Sequence, residues 1–372
     1  MLEDETIDIE KIVAGGDGMG RLKNGKIIFI PYTAPGETVS VTCVSEKKGF
    51  YQALPEKILK SSPERRNPPC LYYYQCGGCN LQHIRYGEQL RIKKDLVTDI
   101  FTRTAKTGLP GFDIVPSPSE FHYKNRMQFH NDKYGKYGLK RKRGSEIIPI
   151  ENCMLAVPEI NTCHIQIPAD FDKISLFGYG NHLYTDSAED DITIEVLDKT
   201  ITTGPALFFQ TNLALLPELV RFAVGGLRGE NVLDLYCGVG LFSAFLQENF
   251  YRGTGIEITS AAECYFRKNT NERFRFIGSS AEKSVSFLSS DEWDAAVIDP
   301  PRAGMSPYVR NVLASKKVKD LVYVSCDPVT QARDIRVFLE KGYELKEIKL
   351  FDFYPQTAHI ESVVKLKYNG PC

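Results

Sequence analysis

The stretch ENVLDLYCGVG, residues 230–240, carries an apolar run into a turn that holds Gly238 and Gly240. An apolar strand that stops at glycines can turn tightly and bring its backbone against a ligand. Working outward, GTGIEIT, FRFIGSS, WDAAVIDPP and DLVYVSCDP repeat the pattern, each ending in a polar or Gly-rich loop, with helix-like stretches between several of them. From about residue 205 this alternation predicts an α/β architecture with a doubly wound parallel sheet, whose ligands sit beyond the carboxyl ends of the strands. The two closing runs, YELKEIKLFDFYP and ESVVKLKY, are near enough in sequence to pair as an antiparallel edge.

The next strand after the glycine turn ends at Glu257, where an acid can accept hydrogen bonds from ribose hydroxyls. A dinucleotide and S-adenosylmethionine both suit this arrangement. The turn lacks the full GxGxxG spacing that a pyrophosphate needs, which favours the methionine-linked nucleoside. DPPRAG, residues 299–304, ends the fourth strand, and its paired prolines fix φ and stiffen the wall of a pocket. Asp299 is placed near the reacting groups, and Arg302 can meet a phosphate or orient a neighbouring thiol.

That thiol is Cys326 in VSCDP, at the end of the fifth strand and so on the same rim as Gly238, Glu257 and Asp299. A thiolate is a strong nucleophile once its pKa falls, which Arg302 is expected to bring about. Carbon methylation of a pyrimidine needs both a thiolate and a methyl donor. C5 of uracil becomes nucleophilic when a thiolate adds to C6, and a base must later remove the C5 proton. Glu361 in QTAHIES precedes the last apolar strand and is the best candidate for that base, with His359 a lesser one.

Upstream, residues 5–59 show short alternating segments broken by Gly, Pro and Asn, the rhythm of a small antiparallel barrel. The joint SSPERRNPP leads into CLYYYQCGGCNLQH, where Cys70, Cys76 and Cys79 stand at C-x5-C-x2-C. Cys153 can close the set from a distant loop. Four such thiols can hold a 4Fe-4S cluster, and on spacing alone zinc is the rival. The remaining cysteines Cys43, Cys163, Cys264 and Cys372 show no partner spacing, and Cys237 sits in the cofactor turn with no reactive role. RYGEQLRIKKDLVTDIFTRT predicts a helix with Leu90, Leu96, Val97, Ile100 and Phe101 near one face. Residues 113–204 read as mostly β, with no fixed-period repeat.

The full chain has 372 residues, 42% hydrophobic and 25% charged, with a formal net charge of -1, so no global basic field draws nucleic acid. KYGKYGLKRKR, residues 133–143, is a local basic patch with interleaved tyrosines. The acidic N-terminus lacks a secretory layout and no apolar run approaches a membrane span, so a cytoplasmic protein with no membrane partner is expected.

In order along the chain, C-x5-C-x2-C, NLQHIRYGEQLRIKK, FFQTN, DLYCGVG, GIE, DPPRAG, VSCDP and YPQTAHIES resemble the RNA (uracil-5-)-methyltransferase family. That family includes the iron–sulfur 23S rRNA enzymes and the related tRNA T-loop enzyme. The likeness covers nearly the whole chain and begins with a TRAM-like barrel. It implies a Rossmann-like class I methyltransferase domain with an antiparallel edge, a TRAM/OB-like β-barrel, and a β-rich central iron–sulfur domain. The expected boundaries are 1–60 for the barrel, 61–204 for the central domain and 205–372 for the catalytic domain, with residues 81–112 packing on the last. By the resemblance, Cys70, Cys76, Cys79 and Cys153 ligate a 4Fe-4S cluster. Gln210, Tyr236, Glu257 and Asp299 contact S-adenosylmethionine, Cys326 is the nucleophile and Glu361 the base. Ser280 stands where an Asn can bind the adenine side, and Leu241 replaces a polar residue of some relatives.

These features lead to an expected monomer that methylates uracil C5 in structured RNA, 23S rRNA in preference to the tRNA T-loop. The barrel, the basic patch, Lys124 and Arg126 are expected to hold phosphates while the base is flipped out. A non-catalytic RNA-binding iron–sulfur protein is the alternative of another class, and the joint presence of Gln210, Cys326 and Glu361 counts against it.

Overall fold

Gly229–Leu235, the strand within the opening stretch, is buried from Asn231 onward and lies inside an eight-stranded sheet of the computed structural model. Burial on both faces explains its unbroken apolar character. The structure describes residues 5–132, 134–135, 137–162, 172–284 and 292–370. Across the sheet the strands run Phe274–Gly278, Phe250–Glu257, Gly229–Leu235, Ala295–Ile298, Asp320–Ser325, Glu361–Tyr368, Tyr343–Phe351 and Ile114–Val115. The first five are mutually parallel. The order reverses direction between Gly229–Leu235 and Ala295–Ile298, so a crevice opens there at the carboxyl ends.

The two closing strands do pair antiparallel, but they do not form the edge of the sheet. Glu361–Tyr368 inserts between Asp320–Ser325 and Tyr343–Phe351, and Ile114–Val115 from mid-chain adds in parallel outside them. The short addition covers backbone groups that an exposed edge would leave unpaired. Helices Leu216–Val224, Leu241–Leu246 and Ala262–Asn269 contribute to one apolar core, while Pro307–Ser315 and Pro328–Glu340 contribute to another.

The predicted helix forms over Tyr86–Ile100 and packs into the second of these cores through Ile92, Leu96 and Val97. Leu90 and Ile100 are only half-buried, whereas Gln89 and Lys93 are fully buried. Apolar spacing misses these two because their burial depends on partners far along the chain. Lys93 Nζ lies 2.5 Å from Asp352 Oδ1, and Gln89 bonds both the side chain and the backbone of Gln356.

Residues Thr6–Lys60 form a six-stranded sheet with Ile7, Ile28, Ile30, Val39 and Val41 in its core. Ile27–Ile30 pairs in parallel with Phe50–Lys60, which curls the otherwise antiparallel meander toward a barrel. A five-stranded antiparallel sheet spans Arg126–Thr185. The hairpin Ile192–Thr203, expected with this central region, instead packs in the catalytic core. Its Ile192, Ile194, Val196 and Ile201 join Phe242, Phe245 and Phe266 there. Among the described residues no helix is long and apolar enough to cross a membrane.

Candidate active site

At the end of Gly229–Leu235 the chain turns sharply, with Tyr236, Gly238 and Gly240 at φ 66°, 52° and 85°. Gly240 needs its missing side chain twice over, since a Cβ there would also meet Phe266 Cδ2 at 2.8 Å. The backbone N–H groups of Tyr236 and Cys237 both donate to Ile256 O, at 2.9 and 3.1 Å, fixing the turn against the next strand. That strand delivers Glu257, whose Oε2 accepts from Gly238 N at 3.3 Å and whose Oε1 accepts from Thr259 N at 2.8 Å. Beneath the turn, Asp234 accepts from the backbone and hydroxyl of Ser243, and burial pushes its carboxyl up to about 6.

A cavity of about 970 Å³ opens at this rim, and Gln210, Tyr236, Glu257, Ser280, Asp299, Cys326 and Glu361 all line it. The structure therefore brings together every residue that the sequence assigned to catalysis or to the nucleoside. Pro300, Pro301, Arg302 and Tyr354 complete the inner wall, and Phe208 stands 74% exposed at the mouth. Ser280 faces the cavity while its Oγ accepts from Lys283 N at 3.3 Å. Leu241 is buried in the core behind the turn, and Cys237 is buried there too, its thiol pushed well up by desolvation.

Cys326 owes its place to the residues that follow it. Asp327 caps Pro328–Glu340 by accepting from Val329 N and Thr330 N at 2.9 and 3.1 Å, and Pro328 occupies the first helical turn. The chain must leave the sheet at Cys326, so the side chain is held at the strand mouth. Burial, followed by the nearby Glu361, pushes its thiol from 9.0 up to about 11. Arg302 pulls in the expected direction but is outweighed, so the thiol is not activated as the sequence suggested. Glu361 is 2% exposed, and burial and then Asp299 hold its carboxyl well above the usual range. Asp299 rises to about 7 through burial and the charge of Asp234. His359 is exposed beside the site, with Nδ1 3.4 Å from Arg302 Nη2, and desolvation of its ring, with the nearby Arg302, lowers it to about 4.

The four predicted ligand cysteines, Cys70, Cys76, Cys79 and Cys153, line a second cavity of about 490 Å³ together with Lys124, Met127 and Leu139. Gly78 N–H donates to Cys76 Sγ at 3.3 Å, and Gln82 Oε1 accepts from Cys70 N at 3.3 Å. Glycine at position 77 lets the loop approach the central sheet, since a Cβ would stand 3.1 Å from Lys140 O. Burial raises the thiols of Cys70, Cys76 and Cys79. Among the described residues no three or more His, Cys, Asp or Glu side chains form a group that could hold a metal ion. The thiols thus share a cavity without converging on one point.

Comparison with known proteins decides the family. Residues 182–369 match the tRNA (uracil-5-)-methyltransferase family and residues 3–50 match the TRAM domain. The chain belongs to the tRNA (uracil-5-)-methyltransferase family. It is 32% identical to an uncharacterized RNA methyltransferase of Aquifex aeolicus, over 97% of this chain and 98% of the relative. It is 30% identical to the 23S rRNA (uracil(1939)-C(5))-methyltransferase RlmD of Shewanella halifaxensis, covering 91% of this chain and 90% of that one. Its fold matches Pyrococcus abyssi tRNA (uracil-54, C5)-methyltransferase, solved with S-adenosyl-L-homocysteine. The TM-score is 0.75 at 24% identity, over 97% of this chain and 100% of the other. The protein is an RNA (uracil-5-)-methyltransferase.

Within this methyltransferase Arg141, Lys142 and Arg143 of the basic patch have protein partners. Arg143 pairs with Asp17 of the barrel, Lys142 lies 3.8 Å from the same carboxylate and 4.0 Å above the Tyr32 ring, and Arg141 pairs with Glu146 at 2.5 Å. The contacts of Arg143 and Lys142 dock the central sheet on the barrel, whereas that of Arg141 stays within the central region. Arg126, also expected on RNA phosphate, is half-buried and donates to Leu207 O and to Ala206 O at 3.4 Å, steadying the loop that carries Gln210. Lys124 faces the cysteine cavity. Lys133, Lys136, Cys163 and Cys372 lie outside the described residues, as does the side chain of Cys43, and Cys264 is exposed.

Sequence reasoning missed Asp334. Fully buried, it accepts from Tyr323 OH and Met305 N at 2.8 Å each, and pairs with Arg310 and Arg333. Arg333 in turn donates to Ala303 O at 2.9 Å, so this helix holds the DPPRAG loop against the site. A carboxylate between two arginines, 29 residues along the chain from Met305 of the loop it holds, carries no local motif. Only its place on the buried face of Pro328–Glu340 could have marked it.

Proposed function

We propose that this enzyme converts a uridine of 23S rRNA to 5-methyluridine, with Cys326 as nucleophile and Glu361 as the base. The observation that carries this reading is that Cys326 and Glu361 line the same cavity as Gln210, Tyr236, Glu257 and Asp299. Glu257 would accept from the ribose hydroxyls, with Gln210, Tyr236, Asp299 and Ser280 as further contacts to the nucleoside and methionine portions. When bound there, S-adenosylmethionine supplies an electrophilic methyl group on a positively charged sulfur.

Deprotonated Cys326 adds to C6 of the flipped uracil, which places electron density on C5. After C5 has gained the methyl group, Glu361 takes its proton, the C5–C6 double bond re-forms, and the C6–Sγ electron pair returns to Cys326. A buried carboxylate with a raised pKa is a stronger base for this step than an exposed one. Arg302 acts on both Cys326 and Glu361 and favours their anionic forms.

Cys70, Cys76, Cys79 and Cys153 would hold a 4Fe-4S cluster. Four thiols around one cavity, with an N–H group donating to Cys76 Sγ, fit a polynuclear cluster better than a single zinc ion, whose ligands must meet at one point. The barrel together with these cysteines, and the 30% identity to a 23S rRNA enzyme, favour rRNA as the substrate. The tRNA T-loop is the second reading, motivated by the structural likeness to a tRNA enzyme.

The test uses full-length protein with S-adenosylmethionine and 5-fluorouridine-substituted 23S rRNA and tRNA transcripts. Fluorine cannot leave C5 as a cation, so an active enzyme is trapped as a covalent adduct that survives denaturation. Wild type should form it with the 23S transcript and Cys326→Ala should not. An adduct with tRNA alone would overturn the rRNA assignment, and no difference between wild type and Cys326→Ala would overturn the mechanism.

A further inference from the structure

Glu361 begins a regular strand, but the loop before it, residues 352–360, has no helix or strand of its own. Tyr354 of the same loop lines the active cavity. The loop must therefore be held from outside, and its midpoint is Gln356, fully buried and at φ 67°. A left-handed backbone at a residue other than glycine persists where its surroundings fix it. Gln356 Oε1 accepts from Arg66 and Gln89, and Gln356 O accepts from the backbone N–H groups of Asn80 and Leu81, both at 3.0 Å.

Of the contacts that residues 66–89 make with this loop, that of Asn80 lies nearest Glu361 in sequence. Its Oδ1 accepts from Ala358 N at 2.9 Å, three residues before the carboxylate, while its Nδ2 donates to Gly15 O of the barrel at 2.8 Å. The barrel turn presses on this side chain, for a Cβ at Gly16 would stand 2.6 Å from Asn80 Cγ. One amide thus ties the barrel to the loop that carries the proposed base, and it follows directly on Cys79.

We propose that Asn80 is a positioning residue for the proton-abstraction step, setting Glu361 through the hydrogen bond from Ala358 N and anchored in turn on Gly15 of the barrel. This rests on the reading of Glu361 as the base. If Asn80 acts there, its loss slows removal of the C5 proton and leaves addition of Cys326 and methyl transfer intact. The methylated adduct, with Cys326 Sγ still on C6, then builds up on ordinary uridine RNA, because C6–Sγ cleavage awaits departure of that proton. A general loosening of the fold would slow adduct formation as well.

Full-length wild type, Asn80→Ala and Asn80→Asp are compared on two transcripts of the same sequence, one with uridine and one with 5-fluorouridine. Adduct formation with 5-fluorouridine does not use the base, so it reports on Cys326, on the methyl donor and on folding. Asn80→Ala should form that adduct within about twofold of the wild-type rate, yet turn over uridine RNA about 10- to 100-fold more slowly, the scale of a small misplacement. It should also accumulate a denaturation-resistant adduct on uridine RNA. Asn80→Asp keeps the acceptor for Ala358 N but loses the donor to Gly15 O, and should accumulate less adduct than Asn80→Ala. If Asn80→Ala does not fold, Gly16→Ala disturbs the same side chain from the barrel and should give the same accumulation. Turnover at the wild-type rate, slowing without accumulation, or equal accumulation in Asn80→Ala and Asn80→Asp would overturn the proposal. Failure of wild type to form the 5-fluorouridine adduct would instead refute the reading of the site itself.

Discussion

The thiol of Cys326 should titrate late, and the site shows why. Burial and the adjacent Glu361 both raise it, Arg302 opposes them, and the balance is a shift from 9.0 to about 11. At about pH 8 a thiol at 9.0 is roughly 10% thiolate and one near 11 only about 0.1%, so Cys326 should be alkylated by iodoacetamide about 100-fold more slowly on ionisation alone. Partial burial slows the reagent further, but to the same extent at every pH. The informative quantity is therefore the pH at which the rate stops rising. Peptide mass spectrometry of pulse-alkylated protein, between about pH 7 and 11, should show a tenfold rise per pH unit with no plateau near 9. Arg302→Gln should move the break upward, because it removes the charge that favours the thiolate. Glu361→Gln should move it downward, because it removes a neighbouring negative charge. A plateau near 9 in wild type, or both substitutions moving the break the same way, would refute the assignment of causes.

Three other outcomes follow from the geometry. Glu257→Ala removes the acceptor at the end of its strand and should weaken S-adenosyl-L-homocysteine binding by about 10- to 100-fold, measured by calorimetry; unchanged affinity would remove Glu257 from the nucleoside site. Lys93→Met leaves Asp352 buried without its partner and should cost about 3–5 kcal/mol in denaturant unfolding, whereas a loss below about 1 kcal/mol would show that the pair is not held in solution. Anaerobically purified protein should contain iron and acid-labile sulfide with a broad visible absorption, all reduced in Cys79→Ser; stoichiometric zinc in a colourless protein would reject the cluster.

The parts of this enzyme that were legible in the sequence are those where one local rule sets the geometry. Strand-then-glycine at residues 230–240 and Cys326 followed by Asp-Pro each fix a side chain at a strand mouth, because the turn or the helix cap leaves the chain no other exit. Parallel strands then bring those mouths to one rim, which is why residues from 210 to 361 line a single cavity. Charge patterns were read less well. Arg126, Arg141 and Arg143 look available for RNA until their partners at residues 206, 146 and 17 are known, and a sequence does not give pair distances. Lys93 and Gln89 were likewise hidden inside a helix whose apolar spacing pointed elsewhere.

The electrostatics carry the argument one step beyond placement. Burial raises the carboxyl groups of Asp234, Asp299 and Glu361, and the Cys326 thiol is raised with them at the rim of one cavity. A ligand that brings positive charge into it would favour ionisation of the same groups, since an opposite charge within a few ångströms lowers an acid's pKa. The proposed nucleophile and the proposed base would then ionise more readily together when the methyl donor is bound. A thiol held near 11 is poorly nucleophilic and poorly open to oxidation at neutral pH. The thiol raised against the simple expectation from Arg302 is thus coherent with a site whose proposed nucleophile ionises more readily when positive charge is bound.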